Sequence, residues 1–572
     1  MILHQANPPR TLDALVARFS DAPAGTRVEA WTFDDRAARR RTEGALATRG
    51  ITARIRSAYK PVVSFFLEEA RPGFTAARIA YPVHPAAIPN RFLLESYPLA
   101  ALLAPAAVSF TAGTCTDLYD ITLTYPEGTE THRVFAPNRE HPDLEGAPML
   151  SPCGWLIAGD QSAPMPTDYE ALFHGAMEAV AAHDWGQEPY FEELNLAVTI
   201  PADDEALNHD DEALSLREAL HEDLYFSLLE YFGQLSGRPV GDRHLQPGQI
   251  VPEITQGPPG LTVSLRPLAT GDRMGAHQVL DNTTAPPAAA QIRDELAALG
   301  GTRFTAPTRA GREVEARHIS GDGAPVMISA GQHPNETSAI VGALRAGRVL
   351  KERGASFTLS PLENPDGYAL HGRLVADNPR HMHHAARYTA FGDDLEYRQA
   401  PSALYENAIR QQAETLSRAQ LHINLHGYPA HEWTRPLSGY VPRGFAMWTL
   451  PKGFFLVMRH HEGWADIARA LTEAVTADLA RNTELMEMNA RQIALYATHA
   501  GETGFEMVNG FPCYIGPDPR HRVPLTLITE YPDETIYGPA FIRAHEAQMQ
   551  TVLAAQAAWQ GLAASAPSAL LV

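Results

Sequence analysis

Two histidines and two glutamates in the C-terminal half of the chain have the residue types for metal-assisted hydrolysis. His333 and Glu336 lie close together, and His426 and Glu530 follow much later. A catalytic zinc ion takes three protein ligands, often two His and one Glu, and leaves a fourth position for water. In such a site His333, Glu336 and His426 bind one zinc ion. Glu530 then takes a proton from water as general base and passes it to the leaving amine.

The H-x-x-E spacing alone does not single out these residues. The chain has 24 histidines, and the same spacing also occurs at His209/Glu212 and His499/Glu502. A histidine at a strand end is also more often a structural residue than a metal ligand. Only the joint pattern of the four residues favours a metal site.

The elements around these residues explain how they could meet. Apolar runs predict buried strands at residues 325–330, 357–359, 421–425 and 525–529, and a polar segment follows each of them. Helical patterns at 337–353, 403–418, 464–496 and 540–564 alternate with the strands, which predicts an α/β sheet with helices on both faces. In an open α/β sheet the ligand crevice lies beyond the carboxyl ends of the strands. We therefore expect the four polar residues to converge there.

The N-terminal half predicts an α+β region that carries no chemical motif. Residues 28–31, 34–48 and 51–55 read as a β-α-β start, and 117–125 with 129–135 read as a hairpin. The changes in pattern predict three domains, at 1–110, 111–285 and 286–572. The helical block at 464–496 fits either an insertion into the C-terminal sheet or a lid.

Composition and charge exclude several classes of partner. The chain has 46 Lys+Arg and 67 Asp+Glu, a formal net charge of −21, which disfavours nucleic acid or an anionic membrane as the main partner. Three scattered cysteines do not form a disulfide framework. The N-terminus lacks a basic stretch followed by an apolar run, so we expect no secretory signal and a cytoplasmic location. The sequence carries no signal for the oligomeric state.

The C-terminal half resembles the zinc metallocarboxypeptidase family of the carboxypeptidase A type, over about residues 290–560. The matching segments, in the family's order, are GQHPNETS with His333 and Glu336, the turn Asn364-Pro365-Asp366-Gly367-Tyr368, the strand Ile423-Asn424-Leu425-His426-Gly427, and Thr529-Glu530-Tyr531-Pro532-Asp533 followed by Tyr537-Gly538. The resemblance implies a mixed sheet, one zinc ion held by His333, Glu336 and His426, and Glu530 as the catalytic base. It also implies cleavage of an amide bond in a small peptide.

The segment that should bind the substrate carboxylate departs from the family pattern. Members of the family use an Asn-Arg pair after Gly-x-Asp-Leu, but Glu396 and Tyr397 stand at those two positions here, and Arg398 is displaced by one. Arg380 is the best match for a further substrate-binding Arg, and Arg373 and Arg387 remain alternatives. Guanidinium groups suit carboxylate capture because their planar fork makes two parallel charge-assisted hydrogen bonds.

Other candidate residues keep two interpretations each. The resemblance assigns Asn364 to substrate binding, and Tyr514 or Tyr496 is either the family's substrate-capping tyrosine or a core aromatic. The histidines at 381–384 form either a second metal site or, as we favour, a loop beside the active site.

The sequence leaves three functions open. The first is a zinc peptidase acting on a small peptide. The second is a zinc amidohydrolase or deacylase acting on a non-peptide N-acyl substrate, which the Glu396-Tyr397-Arg398 segment favours. The third is a binding protein on a degenerate scaffold, which the intact ligand set weakens.

Overall fold

The computed structural model describes residues 1–239, 241–272, 275–398, 405–442, 452–502, 504–520 and 522–565. These residues form two compact units. The first contains the chain up to Arg266 together with 431–442 and 497–501, and the second contains the remaining described residues. The three-domain division predicted from the sequence, with boundaries at 110 and 285, stays a prediction.

The described residues of the first unit form short sheets and seven α-helices. Its strands are β1 (Ile2–Ala6), β2 (Arg27–Thr32), β3 (Thr52–Ser57), β4 (Ala76–Tyr81), β5 (Ala107–Ala112), β6 (Leu118–Tyr125), β7 (Gly128–Phe135), β8 (Asn138–Pro142), β9 (Pro148–Pro152), β10 (Trp155–Ala158), β11 (Gln161–Pro164), β12 (Glu193–Ile200), β13 (Glu205–Ala206), β14 (Ala213–Leu214), β15 (Gln249–Gln256) and β16 (Gly260–Arg266). Its helices are α1 (Thr11–Arg18), α2 (Arg36–Ala47), α3 (Pro61–Glu68), α4 (Arg91–Ser96), α5 (Leu99–Leu102), α6 (Asp168–Ala181) and α7 (Leu216–Leu235).

The strands of the first unit form three four-stranded sheets, in the orders β1-β16-β12-β15, β11-β10-β2-β3 and β5-β4-β6-β7, and two small hairpins. The β-α-β start predicted from the sequence is present as β2, α2 and β3, and the two strands pair in parallel. Helix α2 begins where the Asp35 side chain accepts a hydrogen bond from the Ala38 backbone N–H at 2.7 Å. The predicted hairpin is present as β6 and β7.

The second unit is built on one large sheet. Its strands are β17 (Thr302–Pro307), β18 (Glu313–Ile319), β19 (Asp322–Ala330), β20 (Ala355–Ser360), β21 (Leu421–Pro429), β22 (Phe455–His460), β23 (Glu506–Val508), β24 (Phe511–Pro517) and β25 (Leu525–Glu534). Its helices, which are interspersed with these strands along the chain, are α8 (Ala289–Ala298), α9 (Thr337–Glu352), α10 (Pro365–Asp377), α11 (Ala408–Ser417), α12 (Ala465–Leu479), α13 (Thr483–Ala500) and α14 (Pro539–Leu562). The last four residues of α13 belong to the first unit.

The large sheet is mixed, as the resemblance implied. Its strand order is β17-β18-β20-β19-β21-β25-β22-β24-β23. The central strands β20, β19, β21 and β25 run parallel, whereas β22 pairs with β25 in the antiparallel sense. All four strands predicted from apolar runs are present, and they are neighbours at the centre of the sheet. Their carboxyl ends therefore meet at one edge.

Helices cover both faces of this sheet, which confirms the predicted fold class. Val326 and Ile328 of β19 belong to the core that includes residues of α9 and α14. Met327, between them in sequence, packs instead with Ile409 and Ala413 of α11. Alternate residues of a strand point to opposite faces, so α11 lies on the face opposite to α9 and α14.

Two predicted helices differ from the observed ones. The block predicted at 464–496 is two helices, α12 and α13, because the Asn482 side chain accepts from the Leu485 backbone N–H at 3.1 Å and starts a new helix. The helix predicted at 403–418 is α11, and residues 403–404 lie outside the described residues. It ends at Arg418, whose φ of 51° leaves the helical region. Among the described residues, no helix has the length and apolarity to span a bilayer.

Candidate metal and catalytic site

Three buried side chains from distant parts of the sequence converge in the second unit. His333 Nδ1 lies 2.9 Å from Glu336 Oε1, and His426 Nδ1 lies 2.9 Å from Glu336 Oε2. One ligand atom from each of the three residues lies within 4.8 Å of the others, which suits a single metal ion. Among the described residues, this is the one group of three or more His, Cys, Asp or Glu side chains with that property. The structure thus brings together the three ligands predicted from the sequence.

The ends of the parallel strands position the three predicted ligands. Gly331 directly follows β19 and has a φ of +63°. A Cβ atom there would lie 3.0 Å from the Leu362 Cα atom, so this turn requires glycine. The turn leads to His333 and to Glu336, which is the residue before the first turn of α9. His426 lies within β21 itself.

The donor set fits a zinc ion. Two imidazole nitrogens and a carboxylate are the ligands that zinc takes in catalytic sites. The Nδ1 atoms of both imidazoles point towards the Glu336 carboxylate, and the Gly427 backbone N–H donates to the same carboxylate at 3.0 Å. A divalent cation between them would bind the nitrogen lone pairs and the carboxylate charge together.

Asp394 fixes the orientation of the His333 ring. Its Oδ1 atom lies 3.3 Å from His333 Nε2, and the Gln332 side-chain amide donates to the same oxygen at 2.9 Å. A carboxylate on the outer nitrogen of a ligating histidine sets the tautomer, which directs Nδ1 to the metal. Burial opposes ionisation of Asp394, but His333, Arg387 and the Glu396 backbone N–H together outweigh it and lower the pKa of this carboxyl well below its usual value.

The charged groups of the cluster lie close together and shift one another's pKa values. Burial and Arg387 disfavour the charged form of His333, but Glu336 and Asp394 outweigh them and raise its pKa. Burial likewise opposes ionisation of Glu336, yet His333, Arg387 and His426 together lower its pKa. Burial lowers the pKa of His426, which favours the neutral imidazole that a metal ion requires.

Arg387 is the arginine that the structure places against the cluster. Its Nη1 atom lies 2.6 Å from Glu336 Oε1 and 3.7 Å from Glu534 Oε1. Glu534 in turn accepts a hydrogen bond from the Asn335 side-chain amide at 2.7 Å. Arg387 was an alternative in the sequence interpretation, whereas the favoured Arg380 is exposed in the loop after α10.

Glu530 lies on the same face of the sheet as His426. The two residues pair in register between the parallel strands β21 and β25, so their side chains point to the same side. Burial and the charge of Glu336 raise the pKa of Glu530 well above its usual value. Its carboxylate makes no hydrogen bond or ion pair with any residue that the structure describes, so it remains free to exchange a proton with a ligand.

The other predicted substrate residues have different surroundings. Asn364 is fully buried and caps α10, because its Oδ1 atom accepts from the Gly367 backbone N–H at 2.9 Å. The Arg398 side chain is 4% exposed and contacts Asp393 and Glu406 at 2.6 and 3.0 Å. Their roles in substrate binding remain predictions that this geometry does not support.

Tyr514 and Tyr496 differ in exposure. Tyr514 is 41% exposed on β24, where the Arg459 guanidinium lies 4.6 Å from its ring centroid. Tyr496 is buried. Neither residue has a contact with the ligand cluster among those that the structure describes.

Sequence reasoning missed three polar residues beside the cluster. Gln332 contacts Asp394, and its carbonyl oxygen accepts from Arg410 of α11. Arg410 also contacts Glu363. Gln332 and Glu363 lie inside the segments GQHPNE and PLENPDGY and could have been noticed there, whereas nothing in the local sequence marks Arg410.

The structure comparison finds metallo-carboxypeptidases. A metallo-carboxypeptidase from Pseudomonas aeruginosa is 17% identical, with 49% of this chain and 70% of that chain covered and a TM-score of 0.29. One from Burkholderia cenocepacia is 14% identical, with 53% and 76% covered and a TM-score of 0.30. Carboxypeptidase A from Helicoverpa armigera is 11% identical, with 64% and 98% covered and a TM-score of 0.31. No family model and no curated protein matches the chain.

The chain is thus similar to these metallo-carboxypeptidases over 49–64% of its length, and a resemblance to this class was indicated by the sequence.

Proposed function

We propose that this protein is a zinc-dependent hydrolase that cleaves an amide bond of a small peptide. The convergence of His333, Glu336 and His426 around one point, with Glu530 on the same face, carries the proposal. When bound there, zinc would polarise a carbonyl group as a Lewis acid and lower the pKa of water. The remaining chemistry belongs to side chains of the chain itself.

Glu530 is the general base of the proposed reaction. Its carboxylate makes no hydrogen bond or ion pair with another described residue. Its pKa is raised, which brings that pKa closer to the range in which a base works at neutral pH. It takes a proton from the attacking water and transfers it to the nitrogen of the leaving amine. The amide bond between the carbonyl carbon and that nitrogen then breaks.

Arg387 and Asp394 support the reaction through their contacts with Glu336 and His333. Arg387 places a fixed positive charge beside Glu336, where it can donate a hydrogen bond to the oxyanion that develops on the substrate carbonyl. Asp394 holds the His333 ring in place through its outer nitrogen. Neither residue exchanges a proton in the proposed reaction.

A deacylase acting on a non-peptide N-acyl compound is the second candidate. Glu396 and Tyr397 occupy the positions where the related family has its carboxylate-binding Asn and Arg, and Arg398 is engaged by Asp393 and Glu406. Arg398 is therefore not available to bind a free carboxylate of the substrate. This observation favours a substrate whose recognition does not depend on a terminal carboxylate.

Metal analysis and a substrate panel test the proposal together. We expect one zinc ion per purified chain and hydrolysis within a panel of C-terminally free peptides, the same peptides amidated, and N-acyl amino acids. Faster cleavage of free peptides supports the peptidase, and cleavage restricted to N-acyl amino acids supports the deacylase. A chain that binds no zinc after incubation with the metal, and hydrolyses nothing in the panel, contradicts both.

A further inference from the structure

The side chain of Gln332 joins three separate parts of the second unit. It is buried and directly precedes the proposed ligand His333. Its amide nitrogen donates to Asp394 Oδ1 at 2.9 Å. Its amide oxygen accepts from Arg410 of α11 and, at 3.4 Å, from Asn424 Nδ2 of β21. The side chain therefore links the segment around Asp394 to α11 and to the strand that carries the third proposed ligand.

The partners of Gln332 fix the orientation of its amide group. The Arg410 guanidinium and the Asn424 NH2 group only donate hydrogen bonds, whereas the ionised Asp394 carboxylate only accepts them. An amide turned by 180° would place its NH2 group against two donors and its oxygen against the carboxylate. The observed orientation is thus the one in which all three contacts are hydrogen bonds.

Three N–H groups converge on Asp394 Oδ1 in the tautomer of His333 that leaves Nδ1 for a metal ion. They belong to the Gln332 side chain at 2.9 Å, to the Glu396 backbone at 3.0 Å and to His333 Nε2 at 3.3 Å. Gln332 Nε2 also lies 3.4 Å from His333 Nε2, so the two side chains are neighbours at this oxygen. A carboxylate on the outer nitrogen sets the tautomer of a ligating histidine, so a group that holds Asp394 also holds that tautomer.

The two donors to the Gln332 oxygen are themselves held in place. Arg410 lies 2.7 Å from the Glu363 carboxylate, whose side chain is buried. Asn424 Oδ1 accepts from the buried Ser329 hydroxyl at 2.8 Å. A buried polar network in which each member is bonded on both sides is rigid, so Gln332 keeps its position relative to Asp394.

We propose that Gln332 is a positioning residue, which holds Asp394 and through it the His333 ring in the orientation that metal binding requires. This inference rests on the proposed function above and adds a residue that acts on the metal ion only through Asp394. Without the Gln332 amide, Asp394 loses one of its three donors and the His333 ring can turn. The ring would then present Nδ1 to the metal ion for only part of the time.

The zinc affinity of the full chain with Gln332→Met tests the inference. Methionine has nearly the shape of glutamine but no N–H group, so it cannot donate to Asp394. Competition with a chromophoric chelator gives the dissociation constant of zinc, which we expect to rise by about 10–100-fold. The visible absorption of the Co²⁺-loaded variant should also differ from that of the natural protein, because the geometry of the nitrogen ligands changes.

Gln291→Met is the matched control. Gln291 and Gln332 are both 2% exposed, and both lie in the second unit. The Gln291 amide binds the backbone N–H and C=O of Gln278 at 3.0 and 2.6 Å, so this substitution also removes buried hydrogen bonds. Urea unfolding of the metal-free chains measures the loss of stability, which we expect in both variants. The zinc dissociation constant and the Co²⁺ spectrum should change only in Gln332→Met.

Gln332→Glu separates positioning from charge. Its carboxylate keeps an oxygen for Arg410 but places a second oxygen against Asp394. An added negative charge near a cation by itself strengthens zinc binding, whereas displacement of Asp394 weakens it. We expect weaker binding, and tighter binding would contradict the inference. This variant also decides the case if Gln332→Met does not fold.

The Asp394→Ala background shows whether Gln332 acts through Asp394. There the addition of Gln332→Met should change the zinc dissociation constant by less than about twofold, because the carboxylate that Gln332 holds is gone. Unchanged zinc affinity in Gln332→Met, or an equal loss in the Asp394→Ala background, overturns the inference while the metal site stands. A natural protein that binds neither zinc nor Co²⁺ overturns the proposed function instead.

Discussion

The Nδ1 atoms of His333 and His426 lie 3.1 Å apart, although 93 residues separate them in the chain. Two ring nitrogens at this distance can share at most one proton, and the Glu336 carboxylate accepts from either. Packing of β19 beside β21 enforces this approach, because Ala330 and Leu425 pair in register just before the two histidines. Nothing in a neutral core would require the two imidazoles and the Glu336 carboxylate to lie so close together, whereas a bound cation would be coordinated by the lone pairs of all three.

Removal of one ligand should remove the metal. We expect His426→Ala to lose zinc on dialysis against a weak chelator that leaves the natural protein loaded, because two remaining ligands bind zinc far less tightly. Bound zinc should also stabilise the natural protein by about 3 kcal/mol at a hundredfold excess over its dissociation constant.

Elemental analysis and thermal unfolding with and without zinc measure both effects. The control is His277→Ala, at an exposed position of the second unit. Retention of one zinc ion per chain by His426→Ala would show that the three residues are not the ligands.

Replacement of the proposed base should separate binding from turnover. Glu530→Gln keeps the size of the side chain but cannot accept the proton of water, so we expect turnover to fall by about 10²–10⁴-fold. Zinc content should not change, because Glu530 is not among the three ligands. The assay uses whichever substrate of the panel the natural protein cleaves. The control is Glu313→Gln, which removes an exposed carboxylate of β18. Full activity of Glu530→Gln would assign the base to another group.

The central strands, and the convergence of His333, Glu336 and His426 at one edge of the sheet, could be predicted because their signals are local. Apolar runs mark β19, β20, β21 and β25, and the chemistry-bearing residues follow these runs directly. A buried parallel strand has a continuous apolar pattern, and the rule for strand ends then places the residues at one edge. The positions of His333 and Glu530 at this edge were predicted in this way, and their roles stay predictions.

Other features could not be predicted from the sequence, because they depend on contacts between residues that are far apart in the chain. Arg410 reaches Gln332 only because α11 packs on the sheet face opposite to α9, and no periodicity in the sequence reports that contact. The same applies to the segment after β21. There His431 lies 2.6 Å from Glu218, and Leu437 N–H donates to Asp223 at 2.9 Å, so this segment belongs to the first unit.

The two candidate arginines can be distinguished by matched substitutions. Arg387→Met removes the positive charge beside Glu336, and we expect kcat/KM to fall by about 10²–10³-fold with zinc retained. Arg380→Met changes an exposed loop residue and should leave kcat/KM within a factor of about two. Steady-state kinetics with metal analysis of both variants measure this. A large loss in Arg380→Met with a small one in Arg387→Met would restore the assignment made from the sequence.

A buried histidine of the second unit should make stability depend on pH. His545 is fully buried, with Nδ1 accepting from Arg345 at 2.8 Å and Nε2 donating to the Thr283 carbonyl at 3.1 Å, an arrangement that requires the neutral ring. Burial and Arg345 lower its pKa to about 4. The unfolded chain binds the proton near pH 6.5, so stability is complete above that pH and falls as the pH drops towards 4, by about 3 kcal/mol.

Urea unfolding of the natural protein and of His545→Gln at pH 7.0, 5.5 and 4.5 measures this contribution. Gln does not titrate, so the variant should lose less stability on acidification than the natural protein, whatever its stability at pH 7.0. His277→Gln, at an exposed position, should keep the natural pH dependence. If His545→Gln and the natural protein lose the same free energy of unfolding between pH 7.0 and 4.5, His545 titrates alike in the folded and unfolded chain, and its hydrogen bonds to Arg345 and Thr283 do not hold it neutral.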